Sequence, residues 1–218
     1  MIVNLITIAV VTGFQQEVRQ KISGFGSHVF IMSAGDYGIY ESEPIRKDQI
    51  FIDDLKKDKS ISSINAVGYK PVLFQSDKNK ITYKLQNGKD TSEIQQQVHG
   101  AIIKGVDTSF NWAFFKSHLV EGTIPDYTID SSANHLIISR KLSKDLHYRV
   151  GDFVTAFFVK NQPVKRKFKI SGIYETGLEE FDKKIVLGKL SVVQELNDWG
   201  IKASIELADT MVDGQLII

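Results

Sequence analysis

KKIVLGKLSVVQELN (Lys183–Asn197), with IKASIEL (Ile201–Leu207) after it, reads as a strand, a helix and a second strand. Leu190, Val193 and Leu196 recur every three residues and fall on one face of a helix. The same order occurs near the other end of the chain. His28–Met32 reads as a short strand, and Arg46–Lys57 as an amphipathic helix carrying Ile50 and Leu55. Two extended pieces, INAVGY and PVLF, follow within Ser60–Phe74. Pro71 cannot donate to a ladder, so an edge or a bulge is expected there.

The middle of the chain is mainly β. Lys80–Gln86 alternates Ile81, Tyr83 and Leu85 with polar residues. Asn87-Gly88 is a hairpin signal, because both residues tolerate positive φ. The following KDTSEIQQQ is polar, so the partner strand is expected only near Gln97, with Val98–Val106 as a strand. His135–Ser139 is a further strand and Arg140–Leu146 a short helix. Two long alternating strands, Phe153–Val159 and Lys165–Glu175, are linked tightly through Asn161, Gln162 and Pro163. The expected fold class is α+β. The two strand–helix–strand units build a discontinuous αβ subdomain from residues 24–107 and 184–218, and residues 108–183 form an inserted, mainly β subdomain. Residues 1–23 form a leading helix.

That helix opens with MIVNLITIAVVTGF (Met1–Phe14), almost wholly apolar and shorter than the roughly 20 residues that span a bilayer. It lacks a basic leader and a small-residue cleavage site, unlike a signal peptide. Two readings stay open: a buried element of the domain, or the trailing part of a transmembrane helix. Phe14, Val18, Ile22 and Phe25 continue the apolar stripe into polar sequence, which favours a coupling helix leaving a membrane. Arg19 and Lys21 on the outer side run mildly against the positive-inside rule.

Composition narrows the function classes. The net charge is +1, from 27 basic and 26 acidic residues, which argues against nucleic acid as a partner. Cysteine is absent, which removes disulfides, thiolate metal ligands and a thiol nucleophile. There is no phosphate-binding loop, no dinucleotide fingerprint and no nucleophile elbow. His28, His99, His118, His135 and His147 are scattered without metal-ligand spacing. No catalytic group, cofactor or metal is therefore expected.

Three local clusters remain. Glu179, Glu180 and Asp182 form the densest acidic group; a charged loop feeding a strand is a commoner meaning than acid–base chemistry. Lys165, Lys167 and Lys169 share one face of a strand. Such a face could hold an acidic partner or anionic lipid, or it could guard a strand against edge pairing. Phe110, Trp112, Phe114 and Phe115 form either a core plug or a platform, the latter suiting a soluble periplasmic carbohydrate- or peptide-binding module.

Five blocks in order resemble one family. LITIAVVTGFQQEVRQKISGFGSHVFI (Leu5–Ile31) resembles the end of a first transmembrane helix, a juxtamembrane helix and a first strand. IKGVDTSFN (Ile103–Asn111), HLVEGTIP (His118–Pro125), LIISRKLSKDLHYRVGDFVTAFFV (Leu136–Val159) and FKISGIYETGLEEFDKKIVLGKLSVVQEL (Phe168–Leu196) resemble its later blocks. Together they are similar to the extracytoplasmic, MacB-like periplasmic core domain of FtsX/MacB-superfamily ABC-transporter permeases, and closest to the lipoprotein-releasing (LolC/LolE-type) permeases. The resemblance implies a Porter-like αβ subdomain with a Sabre-like β insertion. It implies a mechanical, non-enzymatic role: a cytoplasmic ABC ATPase drives a permease dimer, formed with a second copy or a homologue. The external domain transmits the motion and contacts lipoprotein or other envelope cargo. It places the protein in a bacterial inner membrane through flanking helices, with this domain on the periplasmic side. Asn161, Gln162, Pro163, Lys165, Lys167 and Lys169 are the expected partner or cargo contacts. The chaperone-recruiting permease carries a long hook loop between the two long strands. Only Lys160–Val164 is available here, so the resemblance points to a hookless subunit or a relative with other cargo, and leaves a periplasmic chaperone as an open partner.

Overall fold

The computed structural model describes residues 2–33, 44–45, 49–76, 79–84, 90–158, 164–197, 202–207, 211–212 and 215–216. In chain order the elements are α1 (Ile2–Phe25), β1 (Val29–Ile31), α2 (Ile50–Leu55), β2 (Ile61–Gln75), β3 (Asn79–Lys84), β4 (Asp90–Gln95), β5 (Val98–Val106), α3 (Ala113–Ser117) and β6 (Leu119–Gly122). There follow β7 (His135–Ser139), α4 (Arg140–Leu146), β8 (Phe153–Phe158), β9 (Val164–Tyr174), α5 (Glu179–Asp182), β10 (Ile185–Lys189), α6 (Leu190–Asn197), β11 (Lys202–Leu207), β12 (Met211–Val212) and β13 (Gln215–Leu216). The α+β class follows directly.

Nine strands share one sheet, in the order β1-β11-β2-β5-β10-β7-β9-β6, with β8 pairing both β2 and β9. The last detail matters most. It closes β2, β5, β10, β7, β9 and β8 into a ring. Closure removes most free edges. The first unit, β1–α2–β2, and the last, β10–α6–β11, meet because β11 lies between β1 and β2. The boundaries expected at residues 107 and 184 do not interrupt the sheet: β10 pairs in parallel with β5 and antiparallel with β7.

Two expectations need correction. INAVGY and PVLF are one continuous strand, β2, that runs straight through Pro71. On one side Pro71 pairs with Ile102 of β5. On the other, among the described residues, pairing with β11 reaches Val67 and pairing with β8 starts at Leu73, so no described residue pairs with Pro71 on that side. The hairpin partner of β3 is not near Gln97. It is β4, which pairs from Lys84↔Asp90 to Asn79↔Gln95. This hairpin is a separate two-stranded sheet, so its pairing needs no apolar face against the main core. Asn87-Gly88 lies outside the described residues.

Burial alternates along β8, whereas β7 and β10 are buried on both faces, and the buried side chains form two cores. Val72, Phe74, Ile103, Leu136, Ala156, Phe168 and Ile170 belong to one, completed by Leu142 and Leu146 of α4 and Val193 and Leu196 of α6. α6 approaches the sheet closely where Gly105 and Gly188 pair. A Cβ on Gly105 would sit 2.7 Å from Val193 Cγ2, so a side chain there would lift the helix. Ser139 opens α4 by accepting the Leu142 amide at 3.0 Å. The second core lies on the other side of β5, β10 and β7. It gathers Ile137, Leu187 and Val106 with Phe25, Phe110, Phe115, Tyr127 and Tyr174.

Candidate coupling joint and partner face

α1 meets the body of the protein only at its end. Every described residue from Val3 to Glu17 is exposed, although Val3–Phe14 is apolar apart from a few positions. Of the expected coupling residues, Phe14 and Ile22 are exposed and Val18 is half-buried. These three line an open groove of about 590 Å³ beside Arg19 and His28. Phe25 differs: it is 2 % exposed and inserts into the second core. Its ring stacks on Phe181 at 4.8 Å and meets Phe114, Phe115 and Tyr174 edge-on at 5.6 to 5.8 Å. Such pairs add to area burial because ring edges meet ring faces. Gly24 allows the insertion, since a Cβ there would lie 2.3 Å from the Phe114 ring.

A second contact holds the same point. Lys104 of β5 is 1 % exposed and donates its ammonium to the Phe25 carbonyl. A cation at a helix C-terminus meets the negative end of the macrodipole and a carbonyl with no intrahelical partner. The ammonium also lies 5.1 Å from the Phe110 ring centroid, within cation–π range. Lys104 was not singled out from sequence. A signal existed: in VHGAIIKGV, alternation sets it on the same side as Ile102 and Val106.

The aromatic cluster packs in and against the second core, and nothing supports the platform reading. Phe110 and Phe115 are buried, and Trp112 and Phe114 are half-buried. Trp112 packs against Phe110, Phe115 and Tyr127 at 5.0 to 6.3 Å, with its ring edge-on or tilted to each. Burial pushes the Tyr127 hydroxyl strongly up from its ordinary value, and it donates to the His135 carbonyl at 3.0 Å.

The acidic trio lies wholly on α5. Glu179 pairs with Lys183 at 2.8 Å and Glu180 with Lys184 at 3.1 Å, one helical turn apart in each case. The Lys183 ammonium holds the Glu179 carboxyl below its ordinary range. Asp182 is buried and fastens the preceding loop. It accepts the Thr176 hydroxyl at 2.8 Å and the Thr176 and Gly177 amides at 3.2 and 3.1 Å. Burial, and then the Asp182 charge, push the nearby Tyr174 hydroxyl well up. No group of three or more metal-ligating side chains occurs among the described residues.

Asn161, Gln162 and Pro163 lie outside the described residues. Lys165, Lys167 and Lys169 are all exposed on β9. Pairing sets Gly100, Leu73, Phe157 and Lys165 in one row across the outer wall. Val98, Gln75, Thr155 and Lys167 form the next, and Phe153 stands opposite Lys169. Arg166 points the other way, where it pairs with Glu195 at 2.8 Å and bonds Asn134. Burial and then the Lys169 charge hold the His135 imidazole below its ordinary value.

The family model described as the MacB-like periplasmic core domain matches residues 1–211. The chain belongs to that family. This MacB-like core domain is thus the periplasmic-side part of an ABC-transporter permease, a class that works with an ATPase and as a dimer. Among solved structures it is similar to the periplasmic region of MacB from Actinobacillus actinomycetemcomitans. The two share 15 % identity and a TM-score of 0.47, over 88 % of this chain and 80 % of that one. It is also similar to the extracellular domain of the noncanonic ABC-type transporter YknZ from Gram-positive bacteria, at 16 % identity and a TM-score of 0.43. That match covers 72 % of this chain and 70 % of the other. No curated protein sequence matches the chain. No described helix is long and apolar enough to cross a membrane.

Proposed function

We propose that this MacB-like core domain is a mechanical element of a bacterial inner-membrane permease, and that α1 delivers motion to the ring. One observation carries the reading: the joint where Phe25 and Lys104 clamp the end of an otherwise exposed helix. Val3–Phe14 would extend about 18 Å as a helix. Apolar surface of that extent needs a cover, which lipid and neighbouring membrane helices would supply. Movement of α1 then reaches β5 through the Lys104 bond, and β9 and α5 through the Phe25 ring.

Nucleotide hydrolysis belongs to a separate cytoplasmic ATPase, and the domain itself is not an enzyme. Its acidic trio is consumed by ion pairs and loop bonds. The second permease of the dimer is another copy or a homologue. The sequence blocks quoted above support lipoprotein, or other envelope cargo, as what is released. The short link at residues 159–163 supports a subunit without a hook.

The test uses the full transporter. Two glycines inserted after Gly26 should leave ATP hydrolysis intact while cargo release falls toward background. Undiminished release with the joint interrupted overturns the proposal.

A further inference from the structure

Arg19 is a cation of α1 that the coupling joint does not use. Lys21, two residues on, pairs with Glu17 at 2.9 Å. Arg19 makes no ion pair or side-chain hydrogen bond among the described residues. A basic residue just beyond an apolar stretch runs against the usual charge bias on the outer side of a membrane. A local anionic partner would account for it.

The groove beside Arg19 has two unlike walls. Phe14, Val18 and Ile22 recur every four residues along one side. Gln15, Arg19 and Ser23 recur at the same interval next to them. The Ser23 hydroxyl already donates to the Gln20 carbonyl at 3.2 Å, which leaves the Arg19 guanidinium and the Gln15 amide as this wall's donors. Below the groove the exposed apolar length Val3–Phe14 continues the same helix. At 1.5 Å per residue Arg19 lies about 7.5 Å along the axis from Phe14. An occupant that satisfies both walls carries a negative group at Arg19 and an apolar tail toward Phe14.

We propose that this groove seats one anionic phospholipid of the surrounding bilayer, with its phosphate on Arg19 and Gln15 and an acyl chain running over Val18 and Phe14. The planar guanidinium fork matches phosphate oxygens better than a point charge does. A zwitterionic lipid carries a phosphate too, but its ammonium would need a carboxylate, and Glu17 is engaged by Lys21. The inference rests on the proposed placement of α1 in lipid.

Vesicle flotation of the whole chain tests it, with phosphatidylcholine alone against a phosphatidylcholine–phosphatidylglycerol mixture. The chain should bind both through the apolar length of α1, and bind the mixture about fivefold more tightly, the effect of about one cation at an anionic surface. R19Q should remove that gain and leave binding to phosphatidylcholine unchanged. K21Q should keep most of the gain, although it removes the same formal charge. I22W should lower the gain by crowding the groove with no change in charge. Matching thermal unfolding shows that each variant is folded. Equal losses in R19Q and K21Q overturn the proposal, because diffuse surface attraction then explains the preference. So does an undiminished gain in I22W. The two readings fail differently. Equal binding to both vesicle types sinks the lipid site alone, whereas no binding to phosphatidylcholine sinks the placement of α1 and the site with it.

Discussion

Lys104 and the column Lys165, Lys167, Lys169 use one side chain in opposite ways. Lys104 is buried, lies near the Phe110 ring and donates its ammonium to the carbonyl at the end of α1. The three others are exposed on the far part of β9, Lys165 with its ammonium 5.3 Å from the Phe157 ring centroid. A buried ammonium is costly unless bonded, so Lys104 is tied to the geometry around it. An exposed ammonium costs little to keep and stays available. Lys104 is committed to the end of a helix, whereas the other three lie on the exposed outer face of β9.

The largest expected effect belongs to the joint. Phe25→Ala removes a ring that touches four others and should cost about 3–5 kcal/mol in denaturant unfolding. A loss below about 1 kcal/mol would mean that the cavity collapses or that α1 is held elsewhere. Lys104→Met keeps the apolar stem but orphans the Phe25 carbonyl, and should cost about 1–3 kcal/mol. Protease sensitivity should rise first near residues 24–28 in that variant. Cleavage spread evenly along the chain would show that Lys104 supports the whole ring rather than the helix end. The smallest effect on stability belongs to the wall. K165Q/K167Q/K169Q should shift unfolding by no more than ~0.5 kcal/mol, because exposed substitutions away from special features are nearly neutral. A larger loss would make the column structural and erase the contrast with Lys104.

Local pattern carried far in this chain. The strand–helix–strand of residues 185–207 and the two long strands β8 and β9 follow from periodicity that neighbouring residues alone produce. The shared face of Lys165, Lys167 and Lys169 needs only the two-residue repeat of a strand. Elsewhere local signals misled. Pro71 stood between two separate extended pieces in the sequence, yet β2 runs through it without interruption. Polar KDTSEIQQQ put the partner strand only near Gln97, yet Asp90–Gln95 pairs with β3 as β4.

The sequence by itself determined most element types, the apolar length of α1 and the absence of catalytic motifs, since each depends on residues close in the chain. Only the tertiary structure decided that β8 closes the ring between β2 and β9, and that Lys104 reaches Phe25 across 79 positions. It also decided that Glu179 and Glu180 are spent on lysines while Asp182 ties a loop. Ring closure and side-chain partners are set by which distant surfaces are buried against each other, and that choice is made by packing rather than by any local repeat.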